Sequence, residues 1–434
     1  MGWDHVQVIE VRAWGARIGA LAAGGTRRAY TFEYDPAWRR QGHELSPELM
    51  PTTDRRQVFS FPGLSDETFH GLPPMIADSL PDRFGNAIVD AHLAALGLAP
   101  SEATALDRLA YLGPRGMGAL EFRPDQAPHV AVATSVDLAE LIVTARAAVE
   151  GTLASESESA ESLQRIINVG TSAGGARAKA ILNFDPISQE IRSGHVPPAR
   201  GFEPWLLKFD GVRTDQRLGP TENFGRVEYA YSLMAGAAGI DMAPTRLLVE
   251  NGRAHFMTRR FDRDPDGVKV HLQTLCGLAG LDYNQVATHD YAQYLQRIEA
   301  LGLGAESVEQ GWRRMVFNVA AANCDDHTKN FSFLFRPGDG WHLAPAYDVT
   351  YAYNSESVWV HQHLMSVNGR FQDIRQSDVL TVADRFGVQG AKRILAEVLD
   401  AVAQWPTFAA QADVPAEMAS AVAVDHRVGS LARA

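Results

Sequence analysis

The chain has 434 residues, 46% of them apolar, enough to bury sizeable cores in two or three domains at the usual ~150 residues each. Forty Lys+Arg against 52 Asp+Glu give a net charge of −12, which excludes a basic nucleic-acid coat. Cys276 and Cys324 are too few for a disulfide framework and suit a reducing compartment, the N-terminus lacks a signal-peptide pattern, and no apolar run approaches the ~20 residues needed to span a bilayer, so a cytoplasmic protein without a membrane partner is expected.

Val6, Val8 and Val11, then the alternation of Tyr30, Phe32 and Tyr34 with Thr31 and Glu33, predict a β-rich start. After Leu80-Pro81-Asp82-Arg83-Phe84-Gly85, the spacing of Ile88, Ala91 and Ala95 predicts a helix closed by Gly97 and Pro100. A second helix is expected from Ser101 to Tyr111, ending at Gly113-Pro114. The Ser- and acid-rich stretch 152–162 reads as a solvated connection. Beyond it lie the small-residue loop from Gly170 to Lys179, a strand over Trp205–Asp210, and a helix from Phe224 to about Ala238 stopped by Gly239. Two strands, Arg246–Glu250 and Ala254–Thr258, precede Arg259-Arg260-Phe261-Asp262. The remainder reads as helical, apart from a hairpin after Phe331 that turns at Pro337-Gly338-Asp339-Gly340.

The residues best suited to chemistry are Asn323-Cys324-Asp325-Asp326-His327-Thr328-Lys329-Asn330 and, past the hairpin, Tyr347-Asp348. Phosphoryl transfer needs an acid to orient a hydroxyl, and an Asn and a second acid as hard oxygen ligands for Mg²⁺. Asp325 and Asn330 have the five-residue spacing of a protein-kinase catalytic loop, with Asp348 after the hairpin. His327 and Lys329 could neutralise phosphate charge from the same loop. The bland alternative is a polar loop capped by Asx turns. Another is a transition-metal hydrolase using Asp325, Asp326, His327, His361 and His363, though no HExxH accompanies them.

The Gly170–Lys179 loop could cradle phosphates with its backbone N–H groups, but Lys179-Ala180 breaks the P-loop pattern. Thr171 and Ser172 are potential phosphoacceptors in it. Lys208, mid-strand between Leu207 and Phe209, is an unlikely place for an idle ammonium group, and Glu228 on the next helix is its candidate partner.

Together these segments resemble the HipA family, the serine/threonine kinase toxins of type II toxin–antitoxin modules, over essentially the whole chain. The resemblance rests on FEYDPAW, SLPDRFGN, TSAGGARAKA, WLLKFD, RRFDR, NCDDHTKNFSF, LAPAYDVT and HLMSVNG. It implies an α+β, bilobal protein-kinase-like fold: an N-terminal α+β subdomain (1–125), a small β-rich N-lobe with the Gly-rich loop (126–258), and a larger, mainly α-helical C-lobe (259–434). It implies ATP and Mg²⁺ as cofactors, Asp325 as catalytic base, and Asn330 and Asp348 as magnesium ligands. Lys208, Lys179, Gly174, Gly175, His327 and Lys329 would serve the phosphates, and the backbone around Arg259, Arg260 and Phe261 the adenine. Ser172 matches an autophosphorylated serine whose loop is then ejected. A HipB-like DNA-binding antitoxin would be the partner, operator DNA being reached mainly through it, and the substrate would be a translation factor such as the aminoacyl-tRNA synthetase that some members phosphorylate. A binding protein acting chiefly as corepressor is the alternative. Asn323-Cys324 stands where eukaryotic kinases have His-Arg, and Val-Thr follows Asp348 in place of Phe-Gly. Control is therefore expected through the Ser172 loop and the partner, not through a phosphorylated activation loop.

Overall fold

The structure, a computed structural model, describes residues 3–24, 29–126, 177–213, 223–250, 252–264 and 266–433, with side chains described outside 211–213. The chain divides into two units of discontinuous sequence. The first comprises Met1–Asp215, Arg259–Asp282 and Leu334–Gly340; the second comprises Gln216–Thr258, Tyr283–Phe333 and Trp341–Ala434.

In the first unit β1 (Val8–Ala13), β2 (Ala16–Ala23), β3 (Tyr30–Tyr34), β4 (Val58–Phe59) and β5 (Glu121–Arg123) form a five-stranded sheet in the order β4-β3-β2-β1-β5. Every pairing is antiparallel, and a register shift lies between Val11 and Arg12. One face buries Ile9, Val11, Leu21, Phe32 and Tyr34, the two-residue period that β-branched and aromatic residues supply. Gly19 on β2 permits the close approach of β3, since a Cβ there would lie 2.2 Å from the Glu33 carbonyl oxygen.

The helix Arg83–Ala95 forms as expected, but the face it buries is Phe84, Ile88, Val89 and Leu93, with Ala91 half-buried and Ala95 exposed. Asp82 caps it by accepting from the Gly85 amide at 2.7 Å. The next helix starts at Ala105, not Ser101, and ends at Leu112. Thr104 and Asp107 form a reciprocal capping box that sets this start, so 101–104 lie outside the helix. Also in this unit, β6 (Arg177–Phe184) pairs antiparallel with β7 (Ile191–Ser193) and β8 (Glu203–Arg213), and β6 is buried from Ala178 to Phe184.

In the second unit the helix Phe224–Ala237 buries Val227, Tyr231 and Met234, the stripe that a spacing of four and three residues predicts, and Ala238, which caps its end, is buried with them. β9 (Thr245–Glu250) and β10 (Arg253–Arg259) make an antiparallel hairpin. Gly225 lets the helix sit on β10, because a Cβ there would fall 2.0 Å from the Ala254 carbonyl oxygen. The helices Tyr291–Ala300 and Gly304–Ala320 carry the core of this unit, with Tyr291, Tyr294, Trp312 and Phe317 fully enclosed. Past the site come the helices Gln376–Arg385, Ala391–Ala403, Trp405–Gln411 and Ala416–Asp425. No helix among the described residues is long and apolar enough to cross a membrane.

Candidate active site

The loop that leaves the helix Gly304–Ala320 begins with Ala322 at φ 52°, a left-handed backbone that costs a non-glycine residue about 1–2 kcal/mol. That turn is held from both sides: Asn323 N donates to Asn318 O at 2.9 Å, and Ala352 N donates to Ala322 O at 3.2 Å. Asp325 and Asn330 then meet as their spacing predicts. The Asn330 amide nitrogen donates to the Asp325 carbonyl at 2.6 Å, leaving its Oδ1 as a neutral oxygen donor. His327 Nδ1 caps the Lys329 amide at 3.2 Å, and its Nε2 stands 3.8 Å from Asp325 Oδ1.

Asp348 returns to this loop. Its predecessor Tyr347 donates to the Lys329 carbonyl at 2.6 Å and is bonded to the Ser332 hydroxyl, which ties the strand end to the loop. Asp348 itself adopts φ 52°, a conformation Asp tolerates better than most side chains. Burial pushes the Asp325 carboxyl above the ordinary carboxylate range; His327 and Trp359 pull it down, while the charges of Asp348 and Asp326 raise it further. A partly buried acid beside a second acid and an amide oxygen is a suitable donor set for a hard divalent cation, which keeps waters for its remaining positions. Among the described residues no group of three or more His, Cys, Asp or Glu is placed to hold a metal ion, so Asp325, Asp326, His327, His361 and His363 do not gather into such a cluster.

Lys329 does not point its charge into open space: Nζ lies over the Tyr283 ring at 4.6 Å. In the first unit Lys208 on β8 is buried and stands directly opposite Lys179 on β6 in the strand register. Lys179 is equally enclosed, with Asp82 Oδ2 3.9 Å from its Nζ. Lys208 is therefore no idle surface residue, and Glu228, named above as its candidate partner, is likewise buried at 1% exposed. Of the residues expected near the adenine, Arg259 pairs with Glu203 at 3.4 Å, Arg260 is engaged in a buried pair with Asp262, and Phe261 is partly buried. Thr171, Ser172, Gly174 and Gly175, like the stretch 152–162, lie outside the described residues.

Sequence reasoning missed Trp359 and the roles of Asp326 and Asp82. Trp359 Nε1 donates to Asp325 Oδ1 at 2.7 Å. Asp326, fully buried, accepts from Tyr291 Oη at 2.7 Å, from Leu364 N at 2.7 Å and from His363 Nδ1 at 2.8 Å. Asp82 was visible only as part of a motif, with nothing to link it to Lys179 some hundred residues on.

The family model described as HipA N-terminal domain matches residues 9–123, and that described as HipA-like C-terminal domain matches residues 171–405. Two proteins of Sinorhizobium fredii whose names carry the word kinase, Y4mE and Y4dM, are 32% identical over 142 residues and 25% identical over 182. Those stretches cover 30% and 39% of this chain, which spans 32% and 42% of the relatives' own lengths. Among solved structures, a chain from the Shewanella oneidensis MR-1 complex of HipA, HipB and operator DNA superposes with a TM-score of 0.65 at 18% identity, over 97% of this chain and 95% of that one. That likeness shows a shared fold, in line with the expected α+β kinase-like class. With the C-terminal family model alone covering more than half of its length, the chain belongs to the HipA family.

Proposed function

We propose that this protein is an ATP- and Mg²⁺-dependent serine/threonine protein kinase acting as the toxin of a HipBA-type module. The observation that carries this reading is the Asp325–Asn330–Asp348 arrangement, in which the Asn330 amide grips the Asp325 carbonyl and Asp348 lies close enough for its charge to act on Asp325. Bound Mg²⁺ would neutralise phosphate charge, with Asn330 and Asp348 as its protein ligands. Trp359 holds Oδ1 of Asp325, so Oδ2 is the oxygen to take the proton of an acceptor hydroxyl. That hydroxyl oxygen bonds to the γ-phosphorus as the bond to the β–γ bridging oxygen breaks and ADP leaves. Lys179 and Lys208, opposite each other on two strands, supply positive charge for the phosphates. Ser172 is the proposed site of autophosphorylation, and a translation factor such as an aminoacyl-tRNA synthetase the proposed target.

Intact mass and peptide mapping after incubation with Mg²⁺ and ATP test this. One added phosphoryl group on Ser172, absent in Asp325→Ala, is expected; transfer that persists in Asp325→Ala removes the assignment of the base. A second reading, corepression with a HipB-like antitoxin, is favoured by the likeness to a chain solved with HipB and operator DNA. It is checked by operator affinity of the antitoxin with and without this chain at stated salt, where an unchanged affinity and salt slope would remove it.

A further inference from the structure

The segment after Asp348 is fastened to the catalytic loop at four places. Cys324 N donates to Ala352 O at 3.0 Å, a backbone bridge that continues the one at Ala322. Cys324, Ala352 and Val360 form one apolar cluster, with Tyr353 and Trp359 packed against it. The Trp359 indole N–H reaches Asp325 Oδ1, and the Asp326 carboxylate takes His363 Nδ1 on one oxygen and Leu364 N on the other. His363 and Asp326 are both wholly enclosed, and Cys324 Sγ lies 3.8 Å from His363 Nε2. An enclosed carboxylate with this many donors is rigid, since losing any one would strand charge in a medium of low polarity.

Position 324 is where a kinase controlled by phosphorylation has the arginine that reads a phosphate on this segment. Here it is a buried thiol in an apolar contact, which offers a phosphate no charge. The catalytic acid and its neighbour take the segment directly. We infer that residues 350–364 are an activation segment latched permanently by Trp359 on Asp325 and by His363 on Asp326, so that this side of the site is set without phosphorylation, and that Trp359, Asp326 and His363 are positioning residues for Asp325. The latch is a matter of structure; its positioning role rests on the kinase reading above.

Hydrogen exchange on the full chain, read beside autophosphorylation kinetics, tests both parts. In Trp359→Phe, which keeps an aromatic ring, peptides within 350–364 should exchange about tenfold faster, the scale of one hydrogen bond to a charged group, while the helix Gly304–Ala320 keeps its protection. The kcat should fall by a similar factor of about ten with KM for ATP within about twofold, and Trp359→His, which restores a ring N–H, should recover part of it. His363→Gln should loosen the same peptides; should it fail to fold, Trp359→Phe decides alone. Unchanged exchange in 350–364 overturns the latch whatever the activity. Faster exchange with kcat unchanged overturns the positioning role. A wild-type chain that binds Mg²⁺ and ATP but transfers no phosphate, in which the variants still loosen the segment, upholds the latch and removes the kinase reading.

Discussion

Asp262 is enclosed completely and accepts from Arg260 at 2.7 Å, from Arg263 at 2.7 Å and from the Gly118 amide at 2.8 Å, whereas the nearest donors to Asp325 are an indole N–H and, farther off, an imidazole. Burial opposes the charge on Asp262, and the two guanidinium groups outweigh it, holding the carboxyl far below the carboxylate range. Burial acts on Asp325 as well, but there it is answered by an imidazole and an indole N–H while two acids press on it, so its carboxyl moves up. The same residue type is thus a structural clamp in one unit and, in the mechanism proposed above, a proton acceptor in the other. The difference lies in whether the compensating charge is built into the chain or left to be brought by a substrate and a cation.

Neutralising each acid gives the largest contrast. Asp325→Asn should lower kcat by about 10³-fold, within the range for a lost general base, while the melting temperature stays level or rises because a poorly compensated charge has gone. Asp262→Ala should do the reverse, at a cost of about 3–5 kcal/mol in denaturant unfolding as Arg260 and Arg263 are stranded. A fall in stability in both variants would break the comparison. The pH dependence separates them next. Asp262, being depressed, stabilises the fold at all pH above the usual carboxylate range and ceases to do so only in strong acid. Asp325, being raised, has the opposite sign: its contribution is present in acid and lost as pH rises through its elevated value. The acid limb of kcat/KM, which reports the free enzyme, should therefore lie above the ordinary 3.8. The smallest effect is expected at Tyr347→Phe, which removes the bond to the Lys329 carbonyl and should cost about 1 kcal/mol in unfolding free energy.

Local chemistry made much of this legible in advance. The strand Tyr30–Tyr34 and the helix from Phe224 follow from side-chain period, and Asp325 and Asn330 are near enough in sequence for their spacing to imply their meeting. What could not be read were contacts between distant segments: Trp359 comes to Asp325 across 34 positions and His363 to Asp326 across 37, while Gly118 joins Asp262 across 144. His363 was noticed only as a metal ligand, because an HxH pattern carries no sign of which carboxylate will face it. The late start of the helix at Ala105 was missed for a related reason: Asp107 is at once the third residue of a capping box and the acceptor for Trp3 and the Val6 amide, a tertiary duty that periodicity does not encode.

The two thiols fall one to each unit, Cys276 in the helix Leu275–Ala279 and Cys324 beside Asp325, and both are sealed from solvent. A disulfide-exchange reagent can reach either only when the surrounding structure opens, so each labelling rate is a clock for its own unit. The molecule therefore carries two internal reporters, and a single mass spectrum taken over time can tell whether ATP, an antitoxin or a point substitution steadies one half of the chain without the other.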